Sequence, residues 1–444
     1  MTSFEPYPLT ELDHLLMLAY VYLFLTFNTS NTEDNISRLK NGASRLIQEW
    51  PFLASTIAKP GQERPHQKAY QVQPPSKSEL QANPILHIKF HRVPVSVMKQ
   101  VEETPEQLIP IKPRSPTPYP APARRFQANI MTDGIILAAS WHHRFMDTFG
   151  CHAVFDGLAH FCRGGGSYNF GGMAKSPAAF ADAYVSAYAT SHYRENQVLR
   201  GYVLCFRKIQ TPKEMCNSRL AELGQSRQIE LTCDDIVTAL MWLAAANERN
   251  RAFSIPRSSL MRYANARNLL EPCIPSAFFG NAVAVSRSYC NVHELQSATE
   301  TPNISGCEAI PGLTQEAINA LSRVAWLGRS ANRSIDASHV GDLLATFRAS
   351  HDWDSLNIAP ADVPVSSIRK IAFYGLDFGQ SFGPVKDVDP LEFNLQGQCV
   401  IGPARYRGSD TPWEIRMAFP KEVTQHLETD PLLLWARIEE KPKL

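Results

Sequence analysis

Two adjacent histidines at the end of an apolar hairpin constrain this chain more than any other feature of its sequence. Residues 126–131 and 135–140 are apolar or small, and Asp133-Gly134 between them is a favoured pair for turning one strand back along another. The chain continues Trp141-His142-His143-Arg144-Phe145-Met146-Asp147-Thr148-Phe149-Gly150, so the tandem histidines fall where a buried strand ends. Successive strand residues point to opposite faces, which lets only one of His142 and His143 look into a given cleft. One imidazole is then a candidate base, and the other packs or bonds elsewhere. A neutral imidazole accepts a proton near pH 7 once its tautomer is fixed and substrate lies within hydrogen-bonding reach. Asp147 follows four residues after His143, where the chain turns toward a helix expected over 151–161. A carboxylate at that position can cap the helix or pair with a distant arginine. The same alternation of faces argues against a metal site built from His142, His143 and Asp147.

The chain has 444 residues, enough for two domains that each bury a core. Charged residues make up 20% and the net charge is only +1, which argues against nucleic acid or an anionic membrane surface as the main partner. The nine cysteines are scattered, odd in number and never at metal-ligand spacing, which favours a reducing, cytoplasmic setting. Residues 1–13 place no basic region before an apolar run, unlike a secretory signal. The apolar run 15–27 is 13 residues long, too short to cross a bilayer, and reads as a buried strand.

Taken in order, Thr32 is expected to cap a helix whose apolar positions Ile36, Leu39, Ala43, Leu46 and Ile47 recur at helical spacing, and Trp50-Pro51 ends it. Residues 105–122 are rich in proline and are expected to cross the surface as extended chain. The loop Gly164-Gly165-Gly166-Ser167 follows a helix and is not followed by a Lys-Ser or Lys-Thr pair, so it reads as a connection and not as a phosphate cradle. A helix is expected over 177–193, a polar crossover over 210–225, and a further helix from Thr232 with Ile236, Ala239, Leu240 and Leu243 on its apolar face. Residues 314–328 and 338–350 read as helices, 367–374 as a strand, 398–405 and 413–419 as paired strands, and 421–427 as a helix. Strands and helices mix without regular alternation, which points to α/β sandwiches of mixed sheet.

Several stretches in register resemble the BAHD acyltransferases, enzymes that move an acyl group from coenzyme A to an alcohol or amine. His143 and Asp147 match the family's His-x-x-x-Asp motif, with His142 before it as in many fungal members. Asn265-Ala266-Arg267 matches an Asn-x-Arg segment, Phe279-Gly280-Asn281 the Gly-Asn that follows, and Asp377-Phe378-Gly379-Gln380-Ser381 a late Asp-Phe-Gly-Trp-Gly motif. Trp50-Pro51-Phe52-Leu53-Ala54 and Trp413-Glu414 extend the likeness over nearly the whole chain.

The resemblance implies two chloramphenicol-acetyltransferase-like domains, residues 1–205 and 227–444, joined by a crossover linker over 206–226, with a tunnel at their interface. It implies a monomer that binds acyl-CoA and a small-molecule acceptor, with no bound cofactor and no metal. It makes His143 and Asp147 the catalytic motif, with His143 as the base and Asp147 paired to Arg267, and His142, Ser366 and Asp377 in support. Asp377 reads as a turn cap or a loop-fixing ion pair. The chain departs from the family at three places. A Thr-Ser-Trp segment common in plant members reads Ser366-Ser367-Ile368, the late motif carries Gln380 and Ser381 for Trp and Gly, and Thr148 replaces a glycine after the motif aspartate. These departures leave room for a member recruited as a cyclase, isomerase or binding protein. A free-standing condensation-type enzyme fed by a carrier-protein thioester is a further alternative, since condensation domains share the His-His-x-x-x-Asp stretch.

Overall fold

The computed structural model describes residues 4–59, 70–100, 106–112, 119–168, 197–224, 229–271, 278–292, 313–350, 352–353, 356, 361–391, 397–406 and 410–438. The expected helix over 177–193 lies outside these residues. A five-stranded sheet runs in the order Asp387–Leu391, Tyr20–Asn28, Gly134–His142, Arg124–Ile130, Leu86–Phe90. A six-stranded sheet runs Val283–Asn291, Arg257–Asn265, Val363–Ser367, Cys399–Ile401, Trp413–Pro420, Gln197–Leu204. A small four-stranded sheet includes Thr56–Ala58 and Gln71–Gln73. Both large sheets mix parallel and antiparallel pairs, the α/β architecture expected.

The central hairpin forms as its pattern predicts. Ile130 pairs with Ile135, and the Met131 N–H donates to the Gly134 carbonyl at 2.9 Å, closing the turn. Gly134 is needed because a Cβ there would stand 2.3 Å from the Phe27 carbonyl oxygen on the neighbouring strand. One face of this sheet packs on the helices Thr32–Glu49 and Thr148–Cys162, burying Leu39, Leu46, Val154, Phe155 and Leu158 against Phe126, Leu137 and Leu25. The second core forms around the helix Cys233–Phe253, which is buried on all sides from Ile236 to Ala246. Thr232 caps that helix in a reciprocal pair with Asp235.

Several expectations change. The run 15–27 is not one strand, because the helix Glu11–His14 precedes it and the strand begins only at Tyr20. Polar Thr10 and Asp13 form a reciprocal cap there, which makes helix the better local solution. Thr32 is the first residue of its helix, with Asn31 at the cap position. The strand expected over 367–374 lies instead at Val363–Ser367, followed by a single helical turn at Phe373–Gly375.

The stretch 206–226 is a helix over Phe206–Glu222, and Ile209, Cys216 and Leu220 on it are buried in the second core. Gln197–Leu204, placed in the first domain by the expected boundary at 205, pairs along its whole length with Trp413–Pro420. Conversely, Asp387–Leu391 leaves the second half to form the edge of the first sheet, with Asp387 opposite Thr26 and Leu391 opposite Tyr22. Arg416 pairs with Asp389, and Arg405 pairs with Asp387 at 2.9 Å and with Glu414, tying this strand to the sheet it came from.

The loop before that strand is anchored by Phe378 and Phe382, whose rings stand 5.1 and 5.3 Å from Phe27. The Ser381 carbonyl accepts from Thr29 at 2.7 Å and from Asn35 at 3.0 Å. Gln380 is exposed. Residue 381 is held through its carbonyl, and residue 380 faces water, which explains why glutamine is tolerated there. Phe378→Ala is expected to cost about 3–5 kcal/mol in denaturant unfolding, while Gln380→Ala should stay within about 0.5 kcal/mol of the parent.

Candidate active site

The two histidines part ways at the strand end. His142 is the last residue of Gly134–His142 and is fully buried. The Arg144 N–H donates to its Nδ1 at 3.2 Å, so the ring proton sits on Nε2, which donates to the Tyr119 hydroxyl at 2.9 Å. Burial, reinforced by the charges of Arg144 and of His143 when protonated, pushes its pKa down to about 3. Both ring nitrogens are occupied and the ring stays neutral, leaving no lone pair for a substrate.

His143 lies one residue beyond the strand, held by its backbone. Its N–H donates to the Ala19 carbonyl at 2.8 Å, and its own carbonyl accepts from the Asn281 side-chain amide at 2.9 Å. The residue is half-buried. Its Nδ1 is enclosed and makes no hydrogen bond, so Nε2, without a partner among the described residues, is the ring nitrogen on the accessible side. Burial lowers the His143 pKa below the ordinary 6.5, against the opposite pulls of its own main chain and of the Asp147 charge.

Asp147 caps the helix Thr148–Cys162, its Oδ1 accepting from the Gly150 N–H at 3.0 Å. It also meets Arg267 in a two-pronged pair at 2.8 and 2.9 Å, and Oδ2 accepts from the Ala282 N–H at 3.2 Å. Helix capping and pairing with a distant arginine thus occur together at this carboxylate. Arg267 spends its remaining donors on the Phe278 carbonyl at 2.8 Å, the Gly280 carbonyl at 3.0 Å and Asn265 Oδ1 at 3.2 Å. Both side chains are about 95% buried, so the pair sits in low dielectric with nearly every donor and acceptor matched.

The other expected residues sit elsewhere. Ser366, half-buried in Val363–Ser367, makes no side-chain bond among the described residues, whereas Ser367 donates to Asp234 Oδ1 at 2.6 Å. That aspartate and Asp235 both pair with Arg262, fixing the end of this strand to a helix N-terminus. Ile368 is buried in the first core, where it fills space that a tryptophan's polar edge would not suit. Asp377 caps its own loop by accepting from Gly379 at 2.9 Å and stands 3.8 Å from Arg163. It is a turn and ion-pair residue exposed to solvent. The loop borders a surface groove of about 630 Å³ lined by Arg38, Arg163, Tyr374 and Gly379, with neither histidine in its wall. No cluster of metal-ligating side chains occurs among the described residues.

Asp13 and Tyr119 had no place among the expected site residues. Asp13 lies beside Asn281 at 2.9 Å, and the Thr10-x-x-Asp13 spacing of a capping box was its only signal in the sequence. Tyr119 carried none, because only the fold brings it to His142.

The chain is similar to known proteins over most of its length. Residues 101–433 match the family described as Transferase family, and residues 17–162 match the Trichothecene 3-O-acetyltransferase-like N-terminal domain. The O-acetyltransferase pyr7 of Aspergillus fumigatus is 25% identical over 97% of this chain and 92% of its own length. The Fumigaclavine B O-acetyltransferase easN of the same fungus is 27% identical over 99% of this chain and 98% of its own. Among solved structures, Fusarium sporotrichioides TRI101, crystallised with Coenzyme A and T-2, superposes with a TM-score of 0.73 at 17% identity, over 96% of this chain and 98% of that one. Vinorine Synthase superposes with a TM-score of 0.69 at 13% identity, over 98% and 94%.

Removing one member of the buried pair strands the other's charge. Asp147→Ala is therefore expected to destabilise the protein by about 3–5 kcal/mol, measured by equilibrium unfolding. A loss below about 1 kcal/mol would mean that water reaches the pair.

Proposed function

Because the chain belongs to the Transferase family, the BAHD-type acyltransferases, we propose that it moves an acyl group from acyl-CoA to a hydroxyl of a small secondary metabolite. His143 Nε2 serves as the general base. The observation that carries this reading is the division of labour between the two imidazoles: His142 has both nitrogens bonded, while His143 keeps one accessible ring nitrogen. The names of the fungal relatives, O-acetyltransferases throughout the matches described above, support acyl transfer to oxygen. TRI101 crystallised with Coenzyme A supports acyl-CoA as donor.

In the step proposed, the acceptor hydroxyl oxygen attacks the thioester carbonyl carbon as Nε2 takes the hydroxyl proton. The C–O bond forms, the carbonyl π electrons move to oxygen, and a tetrahedral oxyanion results. It collapses with cleavage of the C–S bond, and the thiolate of CoA leaves with the proton held on the imidazolium. No covalent enzyme intermediate is needed, so no activated serine or cysteine is required. This suits the described cysteines of the first half, Cys151 and Cys162, which are buried thiols with raised pKa values. The base must be neutral, and the lowered pKa of His143 keeps it so at pH 7.

Asp147 and Arg267 take no part in the proton transfer on this reading. They hold the end of the histidine strand against the second half, and substrate reaches Nε2 through a passage between the halves. The enzyme acts as a cytoplasmic monomer, without nucleic acid or membrane as partner. No helix among the described residues is long and apolar enough to cross a membrane.

The test is to incubate the protein with a panel of acyl-CoAs and a crude metabolite extract, following free CoA and a matching mass gain by mass spectrometry. Parent protein should release CoA and acylate one acceptor, and His143→Ala should lose the product at least about 1,000-fold with an unchanged melting temperature. A His143→Ala variant that retains full transfer would sink the assignment. A parent that alters a metabolite without consuming acyl-CoA would favour a recruited cyclase or isomerase. The acid limb of kcat/KM should fall only below pH 6.5, because protonating the base stops transfer and its pKa lies beneath that value.

A further inference from the structure

Three residues outside the expected catalytic set form a chain that ends on the base. Asp13 is 3% exposed, and its carboxylate accepts four hydrogen bonds. Oδ2 accepts from the Thr10 N–H and from the Thr10 hydroxyl, both at 2.8 Å. Oδ1 accepts from the Asn281 N–H at 3.0 Å and from Asn281 Nδ2 at 2.9 Å. The same Nδ2 donates its second hydrogen to the His143 carbonyl at 2.9 Å. The amide can be oriented only this way, since a carboxylate and a carbonyl both accept and neither donates.

We infer that Asp13 is a positioning residue for the base: it locks the Asn281 amide, and the amide pins the main-chain carbonyl of His143 and with it the place of the ring. The inference rests on the reading of His143 as that base. Without Asp13 the amide could turn its oxygen toward the His143 carbonyl or swing away. The His143 carbonyl would then lose its donor, and the main chain that places the ring would be free to drift. Asp13 and Asn281 are 268 residues apart in sequence, so the contact also closes the two halves over the histidine. Leu12, beside Asp13, is buried among Ala266, Phe278 and Ala282 of the second half, and Glu11 pairs with Arg348 at 2.7 Å.

Keeping a carboxylate here costs stability. Burial pushes its pKa up to about 6, against the opposing hydrogen bonds from Asn281 and Thr10, and Tyr7 is the titratable neighbour its charge acts on. Ionising Asp13 thus opposes folding at neutral pH, because a pKa raised in the folded state contributes stability that fades as pH climbs past it.

The test compares Asp13→Ala, Asn281→Ala and the double variant in the acyl-CoA assay, with Asp13→Asn as an isosteric control for folding. Each single change should lower kcat about 10- to 100-fold with KM for both substrates unchanged. The double variant should be no slower than the slower single, because both act on one carbonyl. Losses that multiply in the double variant, or that appear in KM alone, would overturn the inference while leaving the acyltransferase reading intact. The second readout needs no turnover. The imidazole signal of His143 in a carbon–proton NMR spectrum, assigned by its loss in His143→Gln, should change position and titration midpoint in Asp13→Ala and in Asp13→Asn. An unchanged signal in folded variants of both kinds overturns the inference even if the parent protein transfers nothing.

Discussion

The buried pair of Asp147 and Arg267 is the contact on which the geometry of the histidines depends. A carboxylate and a guanidinium taken out of water lose several kcal/mol of hydration each, and only near-complete hydrogen bonding offsets that loss. Here the carboxylate accepts from the guanidinium twice, from the Gly150 N–H and from the Ala282 N–H, while the guanidinium reaches two main-chain carbonyls of the second half. The same oxygens therefore start a helix in one half and hold a loop of the other. Gly150 completes the contact, because a Cβ there would stand 2.2 Å from the Phe279 carbonyl. The strand end, the helix start and the loop 278–282 meet at one carboxylate, and His143 lies on the short segment between them.

Around that contact the two imidazoles show how neighbouring residues of one chemical type acquire different work. His142 is surrounded by Tyr20, Tyr119 and the Arg144 backbone, which saturate it. His143 is restrained through its backbone at both its N–H and its carbonyl, so its ring is placed without using up Nε2. Restraint through the main chain leaves the side chain free for a ligand.

Much of this was legible in the residues and some was not, for physical reasons. The hairpin at Asp133-Gly134, the helix expected over 314–328 and the apolar helix after Thr232 are local features, written within a few residues of where they act. Asp147 was legible as either a cap or a pairing residue because both jobs suit a carboxylate after a strand, and the fold uses both. Asp387–Leu391 carries two aspartates and a proline and reads as loop, yet Val388 packs into the first core and the strand pairs with residues more than 360 positions away in sequence. Long-range pairing of this kind is decided by the partner strand and not by local propensity. The helix Phe206–Glu222 was hidden by its polar surface and by Pro212 inside it, where proline removes a backbone N–H and argues against helix. Asp13 was hidden because its partner is 268 residues distant.

The exchange of edge strands bears on how the protein is made. Tyr20–Asn28 is synthesised long before Asp387–Leu391, which alone fills one of its two flanks. Until the ribosome has produced that late segment, an apolar strand edge stays open to any other extended chain, the kind of surface that invites intermolecular sheet growth. The sheet is therefore completed only after more than 350 further residues have been made, an interval in which the open edge is a route to misassembly.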